Sequence, residues 1–112
     1  MIANSHLDKA KRIEESIRGL NKDDGWELIV EGVYGCAIHY IAAICQSNSG
    51  EHLDTHKGLS RFLKERNLPE LSNLFKQLEQ LRVGNWYGNQ KNGDTVELAL
   101  DVLNQIKVRL YE

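Results

Sequence analysis

The stretch QLRVGNWYGNQ, residues 80–90, holds an arginine, a tryptophan and a tyrosine within six positions and then runs into glycine and asparagine. Arg82 follows Phe75 by seven residues and Leu78 by four, and it precedes Trp86 by four. A helix that continues through it therefore carries the guanidinium on its apolar stripe rather than its wet face. A permanent cation there needs a carboxylate, a partner subunit or a ligand, because burying it unpaired is costly. If Gly84 ends the helix instead, Arg82 complements the helix dipole in the last turn and reaches water. Trp86 and Tyr87 have the chemistry to stack a base or anchor a protein, and equally to cover the end of a small core.

The histidines are His6, His39, His52 and His56. His52 and His56 have the spacing of two ligands on one helix face, but Asp54 and Thr55 between them read as a helix cap, and no Cys or carboxylate set completes a tetrahedral site. No metal and no cofactor is expected. His39 lies on a mostly apolar segment and reads as a hydrogen-bonded surface or interface residue rather than a catalyst. Neither a G-x-x-x-x-G-K-[ST] nor a G-x-G-x-x-G phosphate loop is present, and no serine sits in a nucleophile elbow.

The scaffold that must position these groups reads as all-helical. There is one proline, Pro69, the glycines cluster between periodic segments, and no long β-branched alternation occurs. A first helix is expected from about Ser5 to Leu20, with Leu7, Ala10, Ile13, Ile17 and Leu20 as a narrow stripe, stopped by Asn21-Lys-Asp-Asp-Gly25. A second, from about Trp26 to Gln46, is apolar over most of its circumference, as a helix buried from several sides is; Gly32 and Gly35 are tolerable in it if a neighbour approaches closely. A short third helix is expected after a cap at Asp54 or Thr55, ending near Arg66. Asn67-Leu-Pro-Glu70 reads as the start of the fourth, with Asn67 as cap, and Asp94 with Glu97 as the start of the fifth. The expected architecture is a single-domain, up-and-down bundle of about five helices over residues 1–112.

Composition agrees. With 41% hydrophobic and 27% charged residues among 112, the chain is an ordinary globular one that buries a core without staples. A net charge of −2 gives no basic excess for duplex nucleic acid. Cys36 and Cys45, nine apart on one helix, lie about 13 Å apart along its axis and cannot pair within it; free thiols suit a reducing, cytoplasmic setting. The N-terminal segment lacks the apolar core of a signal peptide, and the run VYGCAIHYIAAIC reads as too short and too polar to span a membrane.

The segment Trp26–Tyr111 resembles a HEPN domain, a small helical domain associated with nucleotide binding. The resemblance rests on Tyr34-Gly-Cys-Ala-Ile-His-Tyr40, on Thr55-His56-Lys57-Gly58, and on Leu81-Arg82 followed by Trp86-Tyr87, and it covers about three quarters of the chain. It implies a four-helix bundle core, a homodimer and, in many members, a minimal nucleotidyltransferase as partner in a two-component, toxin–antitoxin-like module. Some members are metal-independent RNase toxins with an arginine followed, after four to six residues, by a histidine. Arg82 matches the arginine, but Tyr87, Gly88 and Asn89 stand where the histidine would fall, and Val83 replaces the polar residue that often follows the arginine.

Metal-free RNA cleavage needs a group that moves protons near neutral pH and a cation for the developing charge. Arg82 supplies the second, whereas a tyrosine, with an unperturbed pKa near 10, is a poor base at neutral pH. The expectation is therefore a non-catalytic HEPN-type module. Arg82, Asn85, Trp86, Tyr87, His56 and Lys57 would bind a protein partner or a nucleotide. The alternatives are an RNase using Arg82 with Tyr87, or with His56, and a helical bundle that binds a small ligand. RNA is a weaker partner expectation, and no membrane is expected.

Overall fold

The computed structural model describes residues 3–49, 58–87 and 92–111, with side chains for 5–47, 58–84 and 95–110. It is an all-α bundle: α1 (Ala3–Arg18), α2 (Trp26–Ser49), α3 (Leu59–Glu65), α4 (Pro69–Tyr87) and α5 (Asn92–Val108), closed by a 3-10 turn at Arg109–Tyr111. No strand occurs among the described residues.

The apolar spacing places each helix. On α1 the fully and nearly buried residues are His6, Ala10 and Ile17, with Leu7, Ile13 and Leu20 packed partly against the core. Asn21 makes the turn to α2, its side-chain oxygen accepting the amides of Asp23 (2.7 Å) and Asp24 (3.2 Å). α2 then runs back along α1, since Gly32 faces Ile17, Cys36 reaches Ala10 and His39 reaches His6. At Gly32 a Cβ would stand 2.3 Å from Ile17 Cγ2, so only glycine permits this approach; at Gly35 the nearest atom, Ile13 Cδ1, is 3.9 Å away and an alanine would fit.

α2 is the central element and packs on α1, α4 and α5. Ile29, Val30, Val33, Tyr34, Cys36, Ala37 and Tyr40 through Cys45 are all buried. These residues are buried within the fold, and Gly32 meets Ile17 of α1. One expectation needs correcting: by length and mean hydropathy, 22 residues and 1.7 over Trp26–Ser47, this helix does meet the requirement for crossing a membrane, but 67% of its most apolar window is buried in the fold, as in a core helix.

α4 returns antiparallel to α2, linked by Arg82 to Glu31 and by stacked Phe75 and Tyr34 rings 5.3 Å apart. α5 runs antiparallel to α4, with Arg109 just past its end reaching Glu70 in the first turn of α4. The four long helices therefore alternate in direction around a core of Tyr34, Tyr40, Ile41, Phe75, Leu78, Leu103 and Ile106. The short α3 packs on α4, and Ser72, wholly buried, donates to the Ser60 carbonyl at 2.9 Å.

Helix ends depart from expectation in three places. α3 starts at Leu59 with Gly58 as its N-cap in a left-handed conformation (φ 76°); Asp54 and Thr55 lie outside the described residues. Asn67 does not cap α4. It sits at φ 63°, with its amide on Lys64 O and the Leu68 amide on Leu63 O, the pair of bonds that closes a helix C-terminus in a Schellman motif. Leu68 O accepts the Ser72 amide and so opens α4. α5 begins two residues before Asp94, which stands inside its first turn. Acidic and amide residues are favoured as N-caps, but Asn is also the residue, after glycine, that best tolerates the left-handed turn.

Candidate functional site

The helix continues through Gly84 to Tyr87, so Arg82 is not a last-turn residue. It lies on the seam between α2 and α4. Its Nε donates to both oxygens of Glu31, at 3.0 and 2.8 Å, and its guanidinium carbon stands 4.7 Å from the centre of the Tyr34 ring. Glu31 and Tyr34 are one helical turn apart on α2, so the arginine meets a carboxylate and an aromatic face from a single element. The hydrogen bond that Arg82 donates to Glu31 raises the guanidinium above its ordinary pKa. Burial, followed by the negative charges of Glu79 and Glu31, pushes the Tyr34 hydroxyl up, which keeps the ring neutral.

The pair is only half covered: the Arg82 and Glu31 side chains keep 37% and 33% of their exposure. Leu28, one turn before Glu31, and Val83, next to Arg82, are each 58% exposed. A charged pair with exposed aliphatic side chains nearby in sequence is a surface that can contact a partner.

Of the residues expected at this site, Arg82 is placed in full. Asn85, Trp86 and Tyr87 fall on the last turn of α4, and their side chains lie outside the described residues, as do His56 and Lys57 altogether.

Models of known protein families, curated proteins and solved structures yield no match to this chain.

Two polar clusters went unnoticed in the sequence. His6, 2% exposed, and His39 bring their Nδ1 atoms to 2.8 Å across the α1–α2 interface, with ring centres 5.1 Å apart. The signal was present: His6 precedes Ala10 by four and Ile17 by eleven, in the apolar stripe. Glu14 gathers the second cluster. It accepts the Tyr40 hydroxyl at 2.7 Å and the Lys107 ammonium at 2.8 Å, with Arg18 at 3.5 Å. Burial raises the Glu14 carboxyl, but the bonds from Lys107 and Tyr40 and the charges of Lys107 and Arg18 outweigh it, and its pKa falls below the ordinary value. This network ties α1, α2 and α5 together.

Cys36 and Cys45 are buried free thiols, raised by burial to about 12 and about 11, so neither is a thiolate nucleophile near neutral pH. Among the described residues no three His, Cys, Asp or Glu side chains converge as a metal site would need.

Proposed function

We propose that this chain is a non-catalytic HEPN-type interaction module that works in the cytoplasm as a homodimer and as the partner subunit of a nucleotidyltransferase-like protein, in a two-component arrangement. The observation that carries this reading is the half-exposed Arg82–Glu31 pair with Leu28 and Val83 beside it. The all-helical, alternating bundle and the sequence order around Tyr34–Tyr40, Gly58 and Arg82 agree with it. Arg82 is held by an internal carboxylate and is followed by no histidine at the expected spacing, which favours binding over cleavage. A bound nucleotide would find a planar cation at Arg82.

The contact surface would be the outward face of α2 and α4, not the buried circumference of α2. Two copies, or one copy and its partner, would cover Leu28 and Val83 and leave the charge pair at the contact. Light scattering and a pull-down with the protein encoded beside it test this. Wild type should be dimeric at micromolar concentration or should capture a nucleotidyltransferase-like protein. Leu28→Glu with Val83→Glu should abolish both while the chain stays helical. A monomer that captures no such protein overturns the reading. RNA cleavage that is lost in Arg82→Ala would replace it with the RNase reading.

A further inference from the structure

We propose that the cleft between α1 and α5 is a binding site for a small aliphatic carboxylate, a molecule with an apolar body and one anionic end. α1 and α5 both pack on α2, but among the described residues their backbones do not approach one another closely. Side chains bridge the gap at one level, where Lys107 of α5 donates to Glu14 of α1 at 2.8 Å. From there toward the end of α1 the gap opens into a cavity of about 280 Å³. That is close to the lower limit, about 300 Å³, of small-ligand sites.

The walls are aliphatic. Ile17 of α1 and Leu20 just after it face Val96 and Leu100 of α5 across the cavity, and Ile29 of α2 lines it between them. Ile17, Ile29 and Val96 are buried by the rest of the fold, whereas Leu20 and Leu100 stay half-buried. Two helices that splay over a third leave such residues half covered, and an apolar body in the cavity completes their burial.

The polar lining has one sign to spare. It consists of Glu14, Arg18, Lys22 and Asn104. The Glu14 charge is taken up by Lys107 and by the Tyr40 hydroxyl at 2.7 Å. Arg18 is 70% exposed and stands 3.5 Å from Glu14, farther than Lys107 does, so its fork of N–H groups keeps donors for another acceptor. Lys22 and Asn104 are exposed beside the same cavity. Asp23 and Asp24 follow Lys22 in the turn but do not line the cavity. A planar carboxylate matches the guanidinium fork with two parallel hydrogen bonds, which a cationic or uncharged ligand cannot make. The site is separate from the Arg82–Glu31 seam, which lies between α2 and α4, and does not depend on the partner surface proposed there.

Titration calorimetry and backbone amide spectra of the whole chain with octanoate test the site. Octylammonium, with the same body and the opposite charge, and butyrate, with the same head and a shorter body, are the comparisons. Octanoate should saturate and should shift the amides of Ile17, Leu20, Ile29, Val96 and Leu100 rather than those around Arg82. It should bind about tenfold more tightly than octylammonium, the effect of two screened surface cations, and about tenfold or more tightly than butyrate, the effect of the missing methylenes. Arg18→Gln with Lys22→Gln should weaken octanoate about tenfold and leave octylammonium no weaker, with the helical content unchanged. Leu100→Trp should fill the cavity and abolish binding. If that variant does not fold, the amide shifts of the wild type decide. Equal binding of octanoate and octylammonium overturns the proposal, because the cleft would then be an apolar surface without preference for an anion. Shifts centred on Arg82, or binding that does not saturate, also overturn it.

Discussion

Arg82 Nε lies 2.8 Å from Glu31 Oε2 and 3.0 Å from Oε1, so a single N–H is shared by both oxygens of one carboxylate across 51 residues of chain. Both side chains keep about a third of their exposure, which places the pair between a surface ion pair and a buried one. Solvent screening then limits what it contributes. Arg82→Ala should cost about 1 kcal/mol in urea unfolding, with Glu31→Gln similar. The double variant should cost little more than either, giving a coupling of about 0.5–1 kcal/mol. A loss above about 3 kcal/mol for Arg82→Ala would mean that Glu31 is left desolvated and that the pair is a core feature rather than a contact surface.

Gly32 and Gly35 both sit inside α2, yet they should respond oppositely to alanine. Each substitution gains up to about 1 kcal/mol of helix propensity. At Gly32 the new Cβ meets the branched methyl of Ile17 at 2.3 Å, and a β-branched residue has little freedom to turn away. Gly32→Ala should therefore be destabilising by about 1–2 kcal/mol net, as overpacked cores are. Gly35→Ala should be neutral or stabilising. Thermal melts of the two variants check the order.

For Asn67 the left-handed backbone, not a side-chain cap, is what matters. Asn67→Gly should keep or slightly raise stability, whereas Asn67→Val should cost about 1–2 kcal/mol, because a β-branched residue is strained at φ 63°. An N-capping role would give a different result, with Asn67→Ser tolerated best; calorimetry on the three variants separates the two.

The Glu14 network carries its own pH signature. Because the folded carboxyl titrates below its ordinary value, its contribution is fully present above about pH 4.3 and is lost as pH falls through the lower, folded value. Glu14→Gln should cost about 2 kcal/mol at pH 7, less than for a fully buried pair since Lys107 retains 29% exposure. The gap between variant and wild type should close on acidification below about pH 4. A gap that stays constant to pH 3 would show that shape rather than charge accounts for the loss.

The apolar stripes of all the long helices were legible because their period survives from sequence to packing: Ala10 and Ile17, Leu71 through Leu78, and Val96 through Ile106 all turn inward. Arg82 was legible for the same reason, as a charge at a stripe position. Its partner was not, since Glu31 lies 51 residues away and nothing local marks one glutamate among several. The caps failed because Asn and Asp favour several terminal positions, and only the backbone angles choose between them. The His6–His39 pair needed the register of α1 against α2, which Gly32 fixes through a contact that no periodicity encodes.

Among the described elements α3 rests on α4 alone. Seven residues are too few to hold a helix without support, so α3 persists only while the N-terminal half of α4 does. With 19 residues, α4 is a shaft about 28 Å long, carrying α3 near one end and the Arg82–Glu31 clamp toward the other.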